Sequence, residues 1–475
     1  MLSNRYNILL LVICGTFSLV TCVGNTDLFL NEKIPDLFVT EKIPASFDAN
    51  TDHKEKRNDG DAILYYQPEQ IHISFGDDLS TIVVTWSTKN DTNGSIVEYG
   101  IDGLIARKQG TSTLFVDGGY QHNFQYIHRV VLENLRPLET YLYHCGSDKG
   151  WSAEFWFKTV NPEENWSPHL AVYGDMGNKN AQSLPRLQQE TQNNVYDAIL
   201  HVGDFAYDMA TQNGRVGDEF MKQIEPIAAY VPYMTVPGNH EEKYNFSHYK
   251  ARFSMPGGTE SLMYSFNLGP AHFIGFTTEA YYFIEYGLKQ VILQYEWLEN
   301  DLKEATKPEN RAKRPWIITY GHRPMYCSNS DKDDCTYHST LVRVGLPVFK
   351  WFGLEKLFYD YGVDLELWAH EHSYERLWPV YDQKVYNGSA DEPYTNPGAP
   401  VHIITGSAGC DENTDSFIPK PAEWSAFRSS DYGYARLKVH NASHLHLEQV
   451  SDDKDGQVID QIWLIKDSHG PYSLV

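Results

Sequence analysis

The chain has 475 residues, room for two to four domains at roughly 100 to 200 residues each, so a single small module is excluded. Its 41% hydrophobic, 14% aromatic and 21% charged residues describe a folded globular protein rather than a disordered or fibrous one. Lys and Arg number 39 against 63 Asp and Glu, a formal charge of -24. A general nucleic-acid-binding surface is thereby excluded, and any anionic ligand must be held by something local, such as a bound metal.

In chain order, Arg5 precedes the apolar run Ile8 to Val20, and small residues follow near Thr21 to Gly24. That is the charge, core and cleavage order of a secretory signal peptide over residues 1–24, too short to favour a membrane span. No later run approaches spanning length, and the tail Tyr472-Ser-Leu-Val475 carries no anchor or retention signal. The expectation is a soluble exported protein, secreted or lysosomal. Six N-x-[ST] triplets, at Asn90, Asn93, Asn165, Asn245, Asn387 and Asn441, permit glycosylation. Once Cys14 and Cys22 leave with the signal, four cysteines remain. Cys327 is expected to pair with Cys335 across a short Ser/Asp-rich loop, which leaves Cys145 with Cys410 as the second guess.

Residues 25–62 are polar, repeat Glu-Lys-Ile-Pro at Glu32 and Glu41, and carry the charged run His53 to Arg57. They read as a flexible leader. Over residues 63–160, alternating runs such as Thr81 to Trp86, Ser95 to Tyr99 and His128 to Leu132 are separated by Gly, Asn and Asp clusters, the pattern of a small all-β sandwich. Leu135 to Tyr143 resembles the tyrosine corner of fibronectin type III domains, and Trp86 suits the core between the sheets. Over residues 161–399, apolar runs alternate with helical patterns at Asp218 to Tyr230, Gln294 to Lys307 and Leu346 to Tyr361, which implies a sheet covered on both faces. Strand-like runs return in residues 400–475, at Val401 to Thr405 and Tyr434 to Val439, a β-rich segment that completes the sandwich.

Five of the apolar runs end in residues able to bind a metal. His169 to Gly174 leads to Asp175; Ala198 to Gly203 to Asp204 and Tyr207; Tyr233 to Gly238 to Asn239 and His240; Trp316 to Gly321 to His322; Val363 to Trp368 to His370 and His372. Loops leaving the carboxyl ends of strands in a helix-covered sheet gather into one crevice, so one site is expected from side chains nearly 200 residues apart. Any one His or Asp is more often a satisfied core or loop residue; five strand ends carrying ligand types make coincidence a poor explanation. Seven candidates exceed one tetrahedral ion but suit two ions sharing a carboxylate, and the lack of thiolates argues against iron-sulfur or structural zinc.

Gly174-Asp-Met-Gly177, Gly203-Asp-Phe-Ala-Tyr207, Gly238-Asn-His-Glu241, Gly321-His322 and Ala369-His-Glu-His372 resemble the five ordered motifs of the purple acid phosphatases, within the calcineurin-like metallophosphoesterases. Ala369 departs from the usual Gly. The resemblance spans most of residues 67–460. It implies a fibronectin type III-like domain followed by a four-layer α/β sandwich. It implies Asp175, Tyr207 and His372 on Fe(III), Asn239, His322 and His370 on a divalent ion (Zn, Fe or Mn), and Asp204 bridging. A phenolate suits Fe(III), and its charge transfer would give the colour. The implied reaction is hydrolysis of phosphate monoesters by metal-bound hydroxide, with His240 protonating the departing oxygen and Glu241 orienting His240. His338 resembles a further phosphate-contacting histidine, and a homodimer is left open. Two other readings stand beside this one: a phosphodiesterase or nucleotide pyrophosphatase on the same metal core, and an extracellular binding protein with an inert metal domain, which ligand loss would betray and none of the seven positions shows.

Overall fold

The computed structural model describes residues 64–330, 334–337, 339–347 and 350–472. The signal segment, the leader and His338 lie outside them. The N-terminal domain is the expected sandwich. One sheet orders Glu69–Phe75, Ile82–Thr88, Phe124–Leu132 and Thr111–Val116; the other orders Ala106–Gln109, Ile96–Gly100, Thr140–Ser147 and Gly150–Trp151, with Phe155–Lys158 pairing back onto Thr140–Ser147. Trp86 is buried between them and stacks on the His128 ring at 5.0 Å. The tyrosine corner forms: the backbone N–H of Arg136 donates to the Tyr141 hydroxyl at 2.9 Å.

Beyond it, the alternating strands build the two sheets that a four-layer sandwich implies, where the residue pattern alone suggested one. The first runs Tyr233–Val236, Ala198–Val202, His169–Tyr173, Gly433–Val439, His444–Ser451, Gln457–Ile465; the second runs Met263–Leu268, Ala271–Phe276, Trp316–Tyr320, Leu365–Trp368, Val401–Thr405, Tyr374–Leu377, Ser425–Ser429. Ile318, Leu367 and Ile403 share one core with Leu170, Val172 and Leu200 of the first sheet, whereas Ile317, Trp368 and Ile404 belong to a second core with Leu298 and Leu302 of the helix Lys289–Ala305. Strands buried on both faces read as continuous apolar runs, which is why no alternation betrays the second sheet. The β-rich C-terminal strands enter both sheets and bind them into one sandwich.

Two expectations need correction. The helix expected over Leu346 to Tyr361 is only Leu354–Tyr361; Gly345–Leu346 pairs instead with Trp351–Phe352, and Gly353, in extended conformation, is the cap from which the helix starts. Cys327 and Cys335 form the disulfide, but Cys145 and Cys410 are both free. Cys145 is packed in the core of the N-terminal domain, whereas Cys410 lies against Tyr207 and His372.

The strand leading to His370 and His372 is anchored at its root. Asp364 is fully buried and accepts from Ile317 N (2.9 Å), Arg311 Nη2 (3.1 Å), Lys466 Nζ (2.5 Å) and His469 Nδ1 (3.2 Å). Burial alone would raise its pKa, but the surrounding cations outweigh it and hold the carboxyl far below the ordinary range. Asp364→Ala strands buried Lys466 and Arg311 and is expected to cost about 3–5 kcal/mol, read as a lower unfolding midpoint. A depressed folded pKa contributes stability above the unfolded value that is lost as pH falls below it, so the gap between parent and variant should narrow below about pH 4. A gap unchanged from pH 7 to pH 3 would refute the ionic origin.

Candidate metal centre

Three of the five strands that lead to candidate donors stop at a sharp backbone reversal. Asp175 (φ 58°), Asp204 (φ 50°), Tyr207 (φ 55°) and His370 (φ 73°) adopt left-handed backbone, at a cost of roughly 1–2 kcal/mol each for residues with a Cβ. The glycines before two of the ligands are dictated by crowding. A Cβ on Gly203 would lie 2.4 Å from His322 Nδ1, and one on Gly238 would lie 2.2 Å from Asp204 Oδ1.

The first sheet supplies Asp175, Asp204, Tyr207 and Asn239; the second supplies His322, His370 and His372. The crevice therefore lies where the carboxyl ends of the parallel strands of two packed sheets meet. All seven candidates come together as two adjoining groups. Tyr207 Oη is 2.6 Å from His372 Nε2 and 3.4 Å from Asp175 Oδ1. His322 Nε2 is 3.1 Å from Asp204 Oδ2, 3.2 Å from Asn239 Oδ1 and 3.2 Å from His370 Nδ1. The outward ring nitrogens of two histidines are committed elsewhere. His322 Nδ1 donates to the Val202 carbonyl and His372 Nδ1 to that of Asn413, both at 2.9 Å, so each Nε2 presents its lone pair inward.

These contacts fit cations. Burial, with the charge of Asp204 adding to it, holds the Asp175 carboxyl well above its ordinary range; burial with Asp175 and Asp204 does the same to the Tyr207 phenol. Burial opposes it, but Asp204 pushes His322 up to about 10, so that without a cation a proton takes the place at Nε2 where a cation would sit. Two buried carboxylates, a phenol and lone pairs aimed at one another are unfavourable neighbours unless positive charge sits among them. The candidate donors are oxygen and imidazole, a set that could hold metal ions, and a phenol would suit a hard, highly charged one.

His240 stands beside this set. Its ring packs on Tyr207 at 4.4 Å, its backbone N–H donates to Asp204 Oδ1 at 2.9 Å, and Nδ1 donates to Asp208 Oδ1 at 3.1 Å. Burial alone would lower its pKa, but Asp204 and the Asp208 hydrogen bond push it up to about 10. Glu241 does not orient that ring. Its carboxylate accepts from the backbone N–H groups of Asp204, Phe205 and Gly238, tying together the two loops that carry Asp204 and Asn239.

Sequence reasoning missed three neighbours. Asp208 was legible as the carboxylate directly after Tyr207. Arg323 Nε pairs with buried Glu279 at 3.0 Å while Nη1 reaches His370 Nε2 at 3.0 Å; its place next to His322 was the only signal. Cys410 Sγ lies 3.4 Å from His372 Nδ1, a contact across 38 residues with no local signal.

Residues 68–159 match the family model described as the purple acid phosphatase N-terminal domain. Residues 168–374 match the calcineurin-like phosphoesterases and 399–461 the iron/zinc purple acid phosphatase-like protein C. The chain is 62% identical to acid phosphatase type 7 of Danio rerio over 411 residues, 85% of this chain and 93% of that protein. It is 27% identical to the Fe(3+)-Zn(2+) purple acid phosphatase 12 of Arabidopsis thaliana, over 84% of each. The solved purple acid phosphatase PPD1 from yellow lupin seeds superposes with a TM-score of 0.71 at 26% identity, covering 85% of this chain and 75% of that one.

Proposed function

The chain belongs to the purple acid phosphatases, and from that membership we propose that it hydrolyses phosphate monoesters at a dinuclear centre of Fe(III) and a divalent ion, in an exported compartment. The observation that carries this reading is the pair of adjoining donor groups, Asp175, Tyr207 and His372 beside Asn239, His322 and His370, with Asp204 touching the second and charging the first. When bound, the two cations supply neutralisation of the phosphate oxygens and an activated water.

The chain's own residues do the rest. Asp175, Asp204 and His322 are buried, so solvent screens their charges less than it would at the surface. Asp204, 3.1 Å from His322 in the second group, would serve as the carboxylate shared by the two ions. His240, held by Asp208 at the partly exposed rim, carries a proton on its other nitrogen, and delivers it to the departing ester oxygen. Second-ion identity is open to Zn, Fe or Mn on this mixed donor set.

Secretion or lysosomal delivery is supported by the signal-like N-terminal run and by the Cys327–Cys335 disulfide, a bond of oxidising compartments. Among the described residues no helix is long and apolar enough to cross a membrane.

Tyr207→Phe tests the reading. The ring's packing on His240 is kept and the oxygen donor goes, so the purified variant should fold, retain the divalent ion and lose the visible charge-transfer band. A variant as coloured as the parent would remove Tyr207 from the site. Turnover of p-nitrophenyl phosphate well above that of its bis-ester separates monoesterase from diesterase; the reverse ratio would overturn the monoester assignment.

A further inference from the structure

The N-terminal domain sends one hairpin, residues 117–123 between Thr111–Val116 and Phe124–Leu132, into the part of the catalytic domain that carries the site. It touches two loops there. The first, Tyr207 to Gly214, holds Tyr207 and Asp208. The second, Asn239 to Phe246, holds Asn239 and His240.

Both loops are strained. Tyr207, Asp208, Gln212 and Asn213 in the first, and Tyr244, Asn245 and Phe246 in the second, have φ between 54° and 71°. Backbone of this kind persists only where its surroundings over-determine it. Met209, Glu241 and Phe246 bury part of these segments, while Asp208 and Tyr244 stay 59% and 39% exposed.

The hairpin adds a constraint from outside the catalytic domain to those that Glu241 and Asp204 already place on these segments. Asp117 Oδ1 accepts from His248 Nε2 at 2.8 Å, with both side chains 2% exposed, and Phe115 meets the same ring edge-on at 4.8 Å. His248 closes on Gly214, whose carbonyl accepts from Arg252 Nη2 at 3.3 Å. Asn123 Nδ2 donates to the Asn213 carbonyl at 3.0 Å. Gly118 lies flat on the Tyr244 ring, so close that a Cβ there would meet ring carbon at 2.5 Å.

We propose that the hairpin at residues 117–123 is a positioning element of the active site, with Asp117 and Gly118 fixing the two loops that present Tyr207, Asp208, Asn239 and His240. This rests on the assignment of Tyr207 to iron and His240 to proton transfer. The N-terminal domain then contributes to catalysis without touching substrate.

The test uses the full chain loaded with metal and three variants. Asp117→Ala removes the His248 partner, Gly118→Ala drives a methyl into Tyr244, and Asp117→Asn keeps an acceptor for His248. At temperatures well below unfolding, the two alanine variants should keep parental metal content. They should shift the visible band and lose roughly tenfold or more in kcat, since misplacement of about 1 Å costs up to about a hundredfold. The loss should be greater for alkyl than for nitrophenyl esters, because His240 and Asp208 are displaced together. Asp117→Asn should stay near the parent. Alanine variants that merely melt lower, with parental band, kcat and leaving-group dependence, would show the hairpin to be a domain-docking contact and overturn the proposal. If Asp117→Ala is insoluble, Gly118→Ala decides by the same readouts. A colourless but active parent refutes the Tyr207 assignment instead, and the leaving-group dependence still reads the hairpin through His240.

Discussion

Asp204→Asn is expected to cost the protein both cations and to lower turnover by roughly a thousandfold or more, about 4 kcal/mol of transition-state stabilisation. The substitution changes almost nothing in shape. The amide oxygen can still accept from the His240 backbone N–H, now 2.9 Å from Oδ1, and it fits the space that Gly238 leaves. What changes is the charge between the two donor groups. Asp204 lies 3.1 Å from His322 Nε2 and raises the pKa of both His322 and Asp175. With Asn, one anion disappears from both groups at once, and an amide NH2 directed at His322 would donate into the lone pair that a cation needs. Metal analysis of the purified variant reads this directly. Two metals per chain with parental turnover would show that Asp204 bridges nothing.

The candidate donors were legible because most are written locally, as an apolar run, a small residue and a donor. Gly203 and Gly238 are visible in sequence for the same reason that they matter, since a Cβ there would strike His322 and Asp204. Local order also revealed the Cys327–Cys335 bond, separated by only 8 residues. What stayed hidden is what depends on distant packing. Trp316, Ile317 and Ile318 read as one apolar run, yet Ile318 faces the core between the sheets and Ile317 the core under the helices, so the run cannot say that a second sheet exists. Glu241 was read as the partner of His240 from adjacency. The chain turns so that its carboxylate gathers backbone N–H groups from Asp204 and Phe205, 36 to 37 residues away, and Asp208 takes the imidazole. The Asp117–His248 contact joins residues 131 apart in different domains; no pattern in either segment points to it.

Among these side chains His240 is the one that does not contribute to the donor groups yet stands over them, which sets up a second large effect. A general acid matters in proportion to the basicity of the oxygen it protonates, so His240→Ala should depend sharply on the substrate. Alkyl phosphates, whose alkoxides leave poorly, should lose on the order of 100- to 10,000-fold in turnover, whereas p-nitrophenyl phosphate, whose phenolate leaves unaided, should lose much less. Asp208 accepts from Nδ1 at 3.1 Å, which fixes the ring and keeps its hold on the imidazolium when cations share the charge of Asp204. Asp204 and Asp208 raise the pKa of His240, so the ring holds its proton on the acid side and loses it as pH rises. The alkaline limb for basic leaving groups should therefore flatten in the variant, while the acid limb persists because it belongs to the activated water. Metal content should not change, since the His240 side chain is no part of either donor group. Asp208→Asn should show a weaker form of the same pattern, its neutral amide holding the ring without favouring the charged form. Equal slowing of alkyl and nitrophenyl esters with both metals bound would mean that His240 acts on the charge or position of the phosphate, and the proton would have to come from another group, with His338 the first to test.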